Sequence, residues 1–138
     1  MAAMFDKEQL LMGSNIEVLA TVGPGNRPHA MPIWYVYENS VFVMTSGRGS
    51  QKVRNIQRRS EATLVIDRRE IPYFAVMVRG RAEIGPPPSQ GLRLRLAIRY
   101  LGEELGRSYN ARTTGSGSVT ITVHPDAFIE FHGKAGRE

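Results

Sequence analysis

Val43-Met44-Thr45-Ser46-Gly47-Arg48-Gly49-Ser50-Gln51-Lys52-Val53-Arg54-Asn55-Ile56 changes its hydrophobic period halfway along. The opening residues complete a strand predicted from Val41 to Ser46, rich in β-branched and aliphatic side chains. Gly47 and Gly49 break it. Ser50 then stands where a helix N-cap belongs, which puts Val53 and Ile56 on an inner face and turns Arg54 and Arg58 elsewhere. A strand, a two-glycine loop and a helix start bearing hydroxyls form a corner suited to a phosphate monoester. First-turn amides are free there, the helix dipole presents its positive end, and Lys52 or Arg48 can neutralise the charge. The same pattern also describes a capped surface helix with a solvated basic face, and spacing alone does not separate the two. Neither G-x-x-x-x-G-K-[ST] nor G-x-G-x-x-G occurs, so triphosphate-loop and dinucleotide modes are unsupported.

Working towards the N-terminus, Pro28 to Tyr37 is predicted as one strand, with His29, Met31, Ile33 and Tyr35 on one face and Ala30, Pro32, Trp34 and Val36 on the other. Both faces are largely apolar, which fits a barrel wall with a core inside and a partner or ligand outside. Pro32 cannot donate to a ladder, so the strand should be irregular there and leave room for a ligand against backbone. Trp34 and Tyr35 add broad flat surface, which serves a pocket or a core equally well. Glu38-Asn39 makes the turn that follows. Ile16 to Val22 reads as the preceding strand, ended by Gly23-Pro24-Gly25-Asn26. Asp6 and Gln9 stand in capping-box spacing ahead of a short helix ending at Gly13.

Towards the C-terminus, Ala62 to Asp67 and Tyr73 to Ile84 are predicted strands, the second alternating with period 2 until Pro86-Pro87-Pro88 forbids pairing. Ser89 opens a helix to about Glu104, apolar at Leu92, Leu96, Ile98 and Leu101. Val119 to Val123 and Ala127 to Phe131 are two closing strands, and residues 133–138 are expected to fray. One domain spanning residues 1–138 is expected from this length, with no repeat.

Cysteine is absent, which removes disulfides, thiolate metal sites and cysteine nucleophiles together. Residues 1–8 lack an apolar run fit for a signal sequence, and no stretch reaches membrane-span length, so a cytoplasmic protein is expected. A net charge of +5 and a pI near 10.0 invite a polyanion. Lys7, Lys52 and Lys134 are the only lysines among 18 basic residues; the arginine bias has two sources, genomic base composition and selection for bidentate anion contacts. Binding to nucleic acid is disfavoured because Phe42, Tyr73, Phe74 and Tyr109 are not interleaved with arginines as a stacking platform. His124 and His132 have no ligand cluster around them, so no metal is expected. His29 is the one candidate acid or base near a ring, and reads more simply as a turn-adjacent histidine.

In order, three segments resemble the pyridoxamine 5'-phosphate oxidase-like superfamily, and within it the flavin and deazaflavin oxidoreductase branch, from Gln9 to Phe131. Arg27-Pro28-His29-Ala30-Met31-Pro32-Ile33-Trp34-Tyr35 resembles the strand lining the flavin ring. Thr45-Ser46 with Ser50-Gln51-Lys52 resembles the phosphate-binding element, and Val76-Met77-Val78-Arg79-Gly80-Arg81-Ala82 the long strand that follows. The resemblance implies a mainly β fold, a six-stranded antiparallel split barrel of the FMN-binding type with short flanking helices. It also implies a homodimer with two cofactor sites at the interface, and phosphate contacts from Thr45, Ser46, Ser50 and Lys52.

The full cofactor-binding set it implies is Met31, Pro32, Ile33, Trp34, Thr45, Ser46, Gly49, Ser50, Gln51, Lys52, Arg54 and Asn55. Deazaflavin F420 is the expected cofactor, because its acidic tail suits Arg48, Arg54 and Arg58; FMN is the alternative. The implied activity is hydride transfer to or from a small conjugated substrate, and a carrier without turnover is the competing reading. Pyridoxamine-phosphate oxidation itself is disfavoured. Met31 to Tyr35 lack the arginine- and lysine-bearing ring strand, and the tail after Phe131 lacks the substrate-phosphate motif.

Overall fold

A computed structural model describes residues 4–134, and its single sheet has seven strands where the resemblance implied six. Two differences from the seven strands read along the sequence offset each other. The strand expected from Pro28 to Tyr37 is two strands, β2 (Pro28–Ile33) and β3 (Val36–Glu38). The two closing strands are one, β7 (Ser118–His132). The others are β1 (Glu17–Val22), β4 (Val41–Gly47), β5 (Glu61–Arg68) and β6 (Phe74–Gly85). Every pairing is antiparallel and the order is β2-β1-β5-β6-β7-β4-β3. The edge strands β2 and β3 are consecutive in the chain, so the sheet curls back on itself through the bend at Trp34-Tyr35.

A tyrosine from a distant helix explains the bend. Helix α3 (Gln90–Leu101) brings in Tyr100, whose hydroxyl accepts the Tyr35 amide proton at 3.0 Å. The same oxygen lies 3.0 Å from the Tyr35 and Asn15 carbonyls, one of which takes its proton. Tyr35 thus finds in a side chain the partners a ladder would have supplied.

β7 continues through His124-Pro125-Asp126 by bulging itself: the register steps from Arg79–Ala127 to Gly80–Pro125 and leaves Asp126 as the extra residue. Gly80 is required there, since a Cβ on it would come within 2.3 Å of the His124 carbonyl oxygen. The β3–β4 hairpin turns on Asn39 and Ser40, both at positive φ, as a tight hairpin demands.

Alternate residues fill the core. Leu19, Phe42, Met44, Leu64, Ile66, Val76, Val78, Ile121 and Val123 are all fully buried, each contributing roughly 1.5–3 kcal/mol of transfer free energy. Helix α1 (Lys7–Met12) starts as expected, Asp6 accepting from the Gln9 amide. Helix α2 (Gln51–Arg58) buries Val53 and Ile56, as its spacing predicted. α3 ends at Gly102, whose φ of +87° breaks the helix expected to reach Glu104. A further helix, α4 (Glu103–Arg112), follows and packs back on it. α3 covers the outer face near β3 and β4, where Val36, Leu92 and Leu96 form a second cluster with Trp34, Val43 and Tyr100.

Further along the outer face a row of opposed residues runs across five strands: Pro32, Val18, Val65, Met77 and Ile129. All five are at least partly exposed. The tail expected to fray from residue 133 is anchored at its first residue, the Gly133 amide donating to Tyr73; residues 135–138 lie outside the described residues. No helix among the described residues is long and apolar enough to cross a membrane.

Candidate functional site

Ser50 organises the corner where β4 hands over to α2. It stands at extended φ/ψ, its amide donates to the Gly47 carbonyl at 3.0 Å, and its hydroxyl accepts from the Val53 amide at 3.4 Å. The same hydroxyl lies 2.9 Å from that of Ser46. Among the described residues, the amides of Gln51 and Lys52 have no backbone acceptor, and the Lys52 ammonium has no carboxylate within ion-pair distance. Two alcohols, two free amides at the positive end of a helix and an uncommitted ammonium are a donor set that matches a phosphate dianion. Arg54 is turned aside, its guanidinium bonding the Gly49 carbonyl and the Gln51 side chain. The loop between is pinned by the Arg48 amide, which donates to the Gly117 carbonyl at 2.7 Å.

Strand alternation separates Thr45 from this group. Phe42 and Met44 face the core and Ser46 follows them, whereas Val43 and Thr45 face the side covered by α3. Thr45 therefore lines a cleft with Trp34. Asn55 is also turned away from the corner, being only 1% exposed. Its carboxamide donates to Thr21 Oγ1 at 3.0 Å and accepts from Gln51 Nε2 at 2.7 Å. Gln51 and Asn55 border a shallow hollow with Arg27 and His29 instead.

β2 is an edge strand, and one row of its backbone groups has no ladder partner. Met31 and Pro32 are exposed on it and Ile33 packs against the core. Trp34 lies just beyond, stacked on Tyr100 at 5.0 Å between ring centroids. Of the twelve residues implied by the resemblance, Ser46, Gly49, Ser50 and Lys52 thus converge on one corner. Thr45 and Trp34 share the cleft beside it, and Asn55 serves the interior.

The cleft holds residues that sequence reasoning missed. It measures about 310 Å³ and lies between the outer face of β4, α3 and α4, with Trp34, Thr45, Arg93, Tyr109 and Asn110 in its walls. Helix α4 left no apolar period to find, since its two buried positions are Gly106 and Asn110.

Behind the bend is a cluster of titratable groups. Glu17 is fully buried on the inner face of β1, and neither carboxylate oxygen has a hydrogen-bond partner among the described residues. Burial pushes its carboxyl well above the usual range, with the Arg99 guanidinium pulling the other way. Burial likewise raises the phenols of Tyr35 and Tyr100. Arg99 spends its own protons on the Leu11, Met12 and Gly13 carbonyls at the end of α1. His29 has a buried Nδ1 without a partner. Among the described residues no three His, Asp or Glu side chains are placed to hold a metal.

Comparison with known proteins agrees with this architecture. Solved structures similar to the chain include an F420 reductase, with 28% identity over 94% of this chain and 98% of that one and a TM-score of 0.75. A conserved hypothetical protein of Mycobacterium tuberculosis shares 20% identity over 94% and 86% of the two chains, with a TM-score of 0.78. A FAD-binding protein of Mesorhizobium loti shares 16% over 97% and 96%, with a TM-score of 0.68. A search of curated proteins gave no significant match. Residues 7–132 match the sequence profile of pyridoxamine 5'-phosphate oxidase, a span that takes in all seven strands and the serine corner, and the chain belongs to that family.

Proposed function

We propose that this protein is an oxidoreductase that binds a phosphorylated flavin or deazaflavin, F420 in the first instance and FMN as the alternative. The observation that carries the reading is the convergence of the Ser46 and Ser50 hydroxyls, two unpartnered amides and Lys52 on one corner. These groups hold a phosphate by charge-assisted hydrogen bonds, and the helix end adds its dipole. The unpaired edge of β2 from Met31 to Ile33 orients a flat ring by backbone contacts, and Trp34 gives it an apolar border. When bound, the ring supplies a hydride to, or takes one from, a small conjugated substrate. The chain's part is to position both partners and to exclude water from between them.

The active unit is a homodimer with its sites at the interface. The apolar row from Pro32 to Ile129 supports this, since a sheet face of that kind is covered when a second copy packs on it.

The test is an absorption spectrum of freshly purified protein followed by titration with F420 and with FMN. One cofactor per subunit at micromolar affinity or tighter is expected. Failure of both to bind removes the redox assignment.

A further inference from the structure

Helix α1 borrows its C-terminal cap from α3. The last carbonyls of a helix lack partners within it, and α1 has no basic residue in its last turn. Arg99 reaches across and bonds the Leu11, Met12 and Gly13 carbonyls, while Tyr35 Oη donates to the Leu11 carbonyl at 2.8 Å and Asn15 Nδ2 to that of Leu10 at 3.0 Å. The next residue, Tyr100, holds the bend at Tyr35 and stacks on Trp34. One guanidinium thus fixes the end of α1 and, through its neighbour in the chain, the bend. Among the described residues no carboxylate pairs with it. The acid on which its charge acts is Glu17, fully buried on β1 with both carboxylate oxygens unpartnered. Tyr35 lies by both, since Arg99 stands 4.8 Å from its ring centroid and the Glu17 charge acts on its phenol.

A buried carboxyl and a guanidinium that act on each other without an ion pair have two arrangements open to them. Protonated, Glu17 needs no counterion, and Arg99 stays on the α1 carbonyls. Ionised, it is a lone charge in the core, which is strongly unfavourable until a cation moves to it. We propose that Glu17 and Arg99 form a proton-controlled latch: neutral Glu17 leaves Arg99 capping α1, and ionised Glu17 draws the guanidinium off, freeing the end of α1 and loosening the bend that carries Trp34. Burial holds the carboxyl protonated above the usual glutamate range, so the latch releases as pH rises. The other groups around it keep their charge state or are engaged elsewhere. Burial raises the phenols of Tyr35 and Tyr100, which therefore stay neutral. On α1, Asp6 caps the helix, Lys7 lies over the Phe128 ring and Glu8 acts on Tyr37. On β5, Arg68 is held by the Pro72 and Met4 carbonyls. Release alters the wall that Trp34 forms beside the serine corner, so protonation inside the barrel controls the geometry of that wall.

Trp34 is the only tryptophan, so its emission reports on the bend. Emission spectra and amide hydrogen exchange of wild type and Glu17→Gln are compared from pH 4 to 9 without cofactor, which keeps the outcome separate from that of the redox reading. Comparison at equal pH cancels the chemical pH dependence of exchange, and the histidines titrate in both proteins. In acid the two should coincide. At higher pH the amides of residues 7–13 and of Tyr35 should exchange faster in wild type, the difference growing by up to about tenfold per pH unit for a single proton. Protection in β5 and β6 should stay equal in the two proteins, and Trp34 emission should shift with this transition only in wild type. Arg99→Met should lose the protection of residues 7–13 already in acid. Coincident profiles for wild type and Glu17→Gln at every pH overturn the latch. So does faster exchange spread evenly over the barrel, which would be global destabilisation by a buried charge, and so does an Arg99→Met protein that keeps α1 protected.

Discussion

The hydroxyls of Ser46 and Ser50 lie 2.9 Å apart across the turn between β4 and α2, but only Ser50 also caps the helix. Substitutions therefore separate binding from folding. Ser50→Ala should lose about 1 kcal/mol of stability with the cap and weaken cofactor binding as well. Ser46→Ala should weaken binding with little change in stability. Lys52→Ala should weaken it most, by roughly 1–3 kcal/mol, because a charged contact is lost. Cofactor titrations paired with urea unfolding curves check all three, and equal binding by wild type and Lys52→Ala would remove the lysine from the site.

Tyr100→Phe tests the bend between β2 and β3. The substitution keeps the ring against Trp34 but removes the oxygen that accepts the Tyr35 amide proton. A part-buried amide is left without its partner, at a cost of about 1–3 kcal/mol. Urea midpoints for wild type and variant measure it, and an unchanged midpoint would mean that water replaces the hydroxyl.

Much of this fold is legible in local sequence. Asp6 with Gln9 and Ser50 with Val53 and Ile56 are features whose cause lies within a few residues, and each stands where its pattern placed it, while the turn expected at Glu38-Asn39 falls one residue later, on Asn39-Ser40. The interruption at Trp34-Tyr35 is different. Its cause is Tyr100, 65 residues away, and nothing in the strand's own alternation announces it. Pro125 reads as a strand breaker until the bulge at Asp126 beside it, facing the step from Arg79 to Gly80, is known. At the site, the run Thr45-Ser46 places two hydroxyls side by side in sequence and on opposite faces in space. Period 2 contains that separation, so the contacts the resemblance implies for Thr45 and Ser46 lie on different faces of β4. The cleft was hidden because it depends on α4, a helix whose buried side is a glycine and an asparagine.

Glu17→Gln should make the protein more stable at neutral pH while changing little in acid. Burial raises the folded-state pKa above the ordinary glutamate value, so between those two values the folded protein binds more protons than the unfolded chain. Stability then falls as pH rises through that window, by at most about 1.4 kcal/mol per pH unit for a single proton. The neutral amide removes this pH dependence. Unfolding free energies of wild type and variant across pH 4 to 9 should converge at the acid end and separate above it. Parallel curves would mean that Arg99 compensates the charge fully.

Asn55→Leu distinguishes an interior role from a cofactor contact. Thr21 is 2% exposed and takes its hydrogen bond from Asn55, so the variant buries an unpaired hydroxyl. A loss of about 1–3 kcal/mol in stability is expected, together with cofactor affinity close to wild type in the fraction that stays folded. Native protein of unchanged stability that no longer binds cofactor would return Asn55 to the binding set.

Met77 lies in the middle of the apolar row, opposite Val65 on one side and Ile129 on the other. Being partly exposed, it can carry a charge in an isolated subunit at small cost, within about 0.5 kcal/mol for a solvent-facing position. In a dimer packed on this face the same carboxylate would be buried unpaired, which is strongly unfavourable. Met77→Asp should therefore leave the unfolding midpoint of the monomer nearly unchanged while converting a stable dimer into monomers, as read by light scattering over a range of concentrations. On the proposed reading of sites shared across the interface, cofactor affinity should fall with dissociation. A wild type that is already monomeric, or a Met77→Asp dimer as tight as wild type, would place the interface elsewhere.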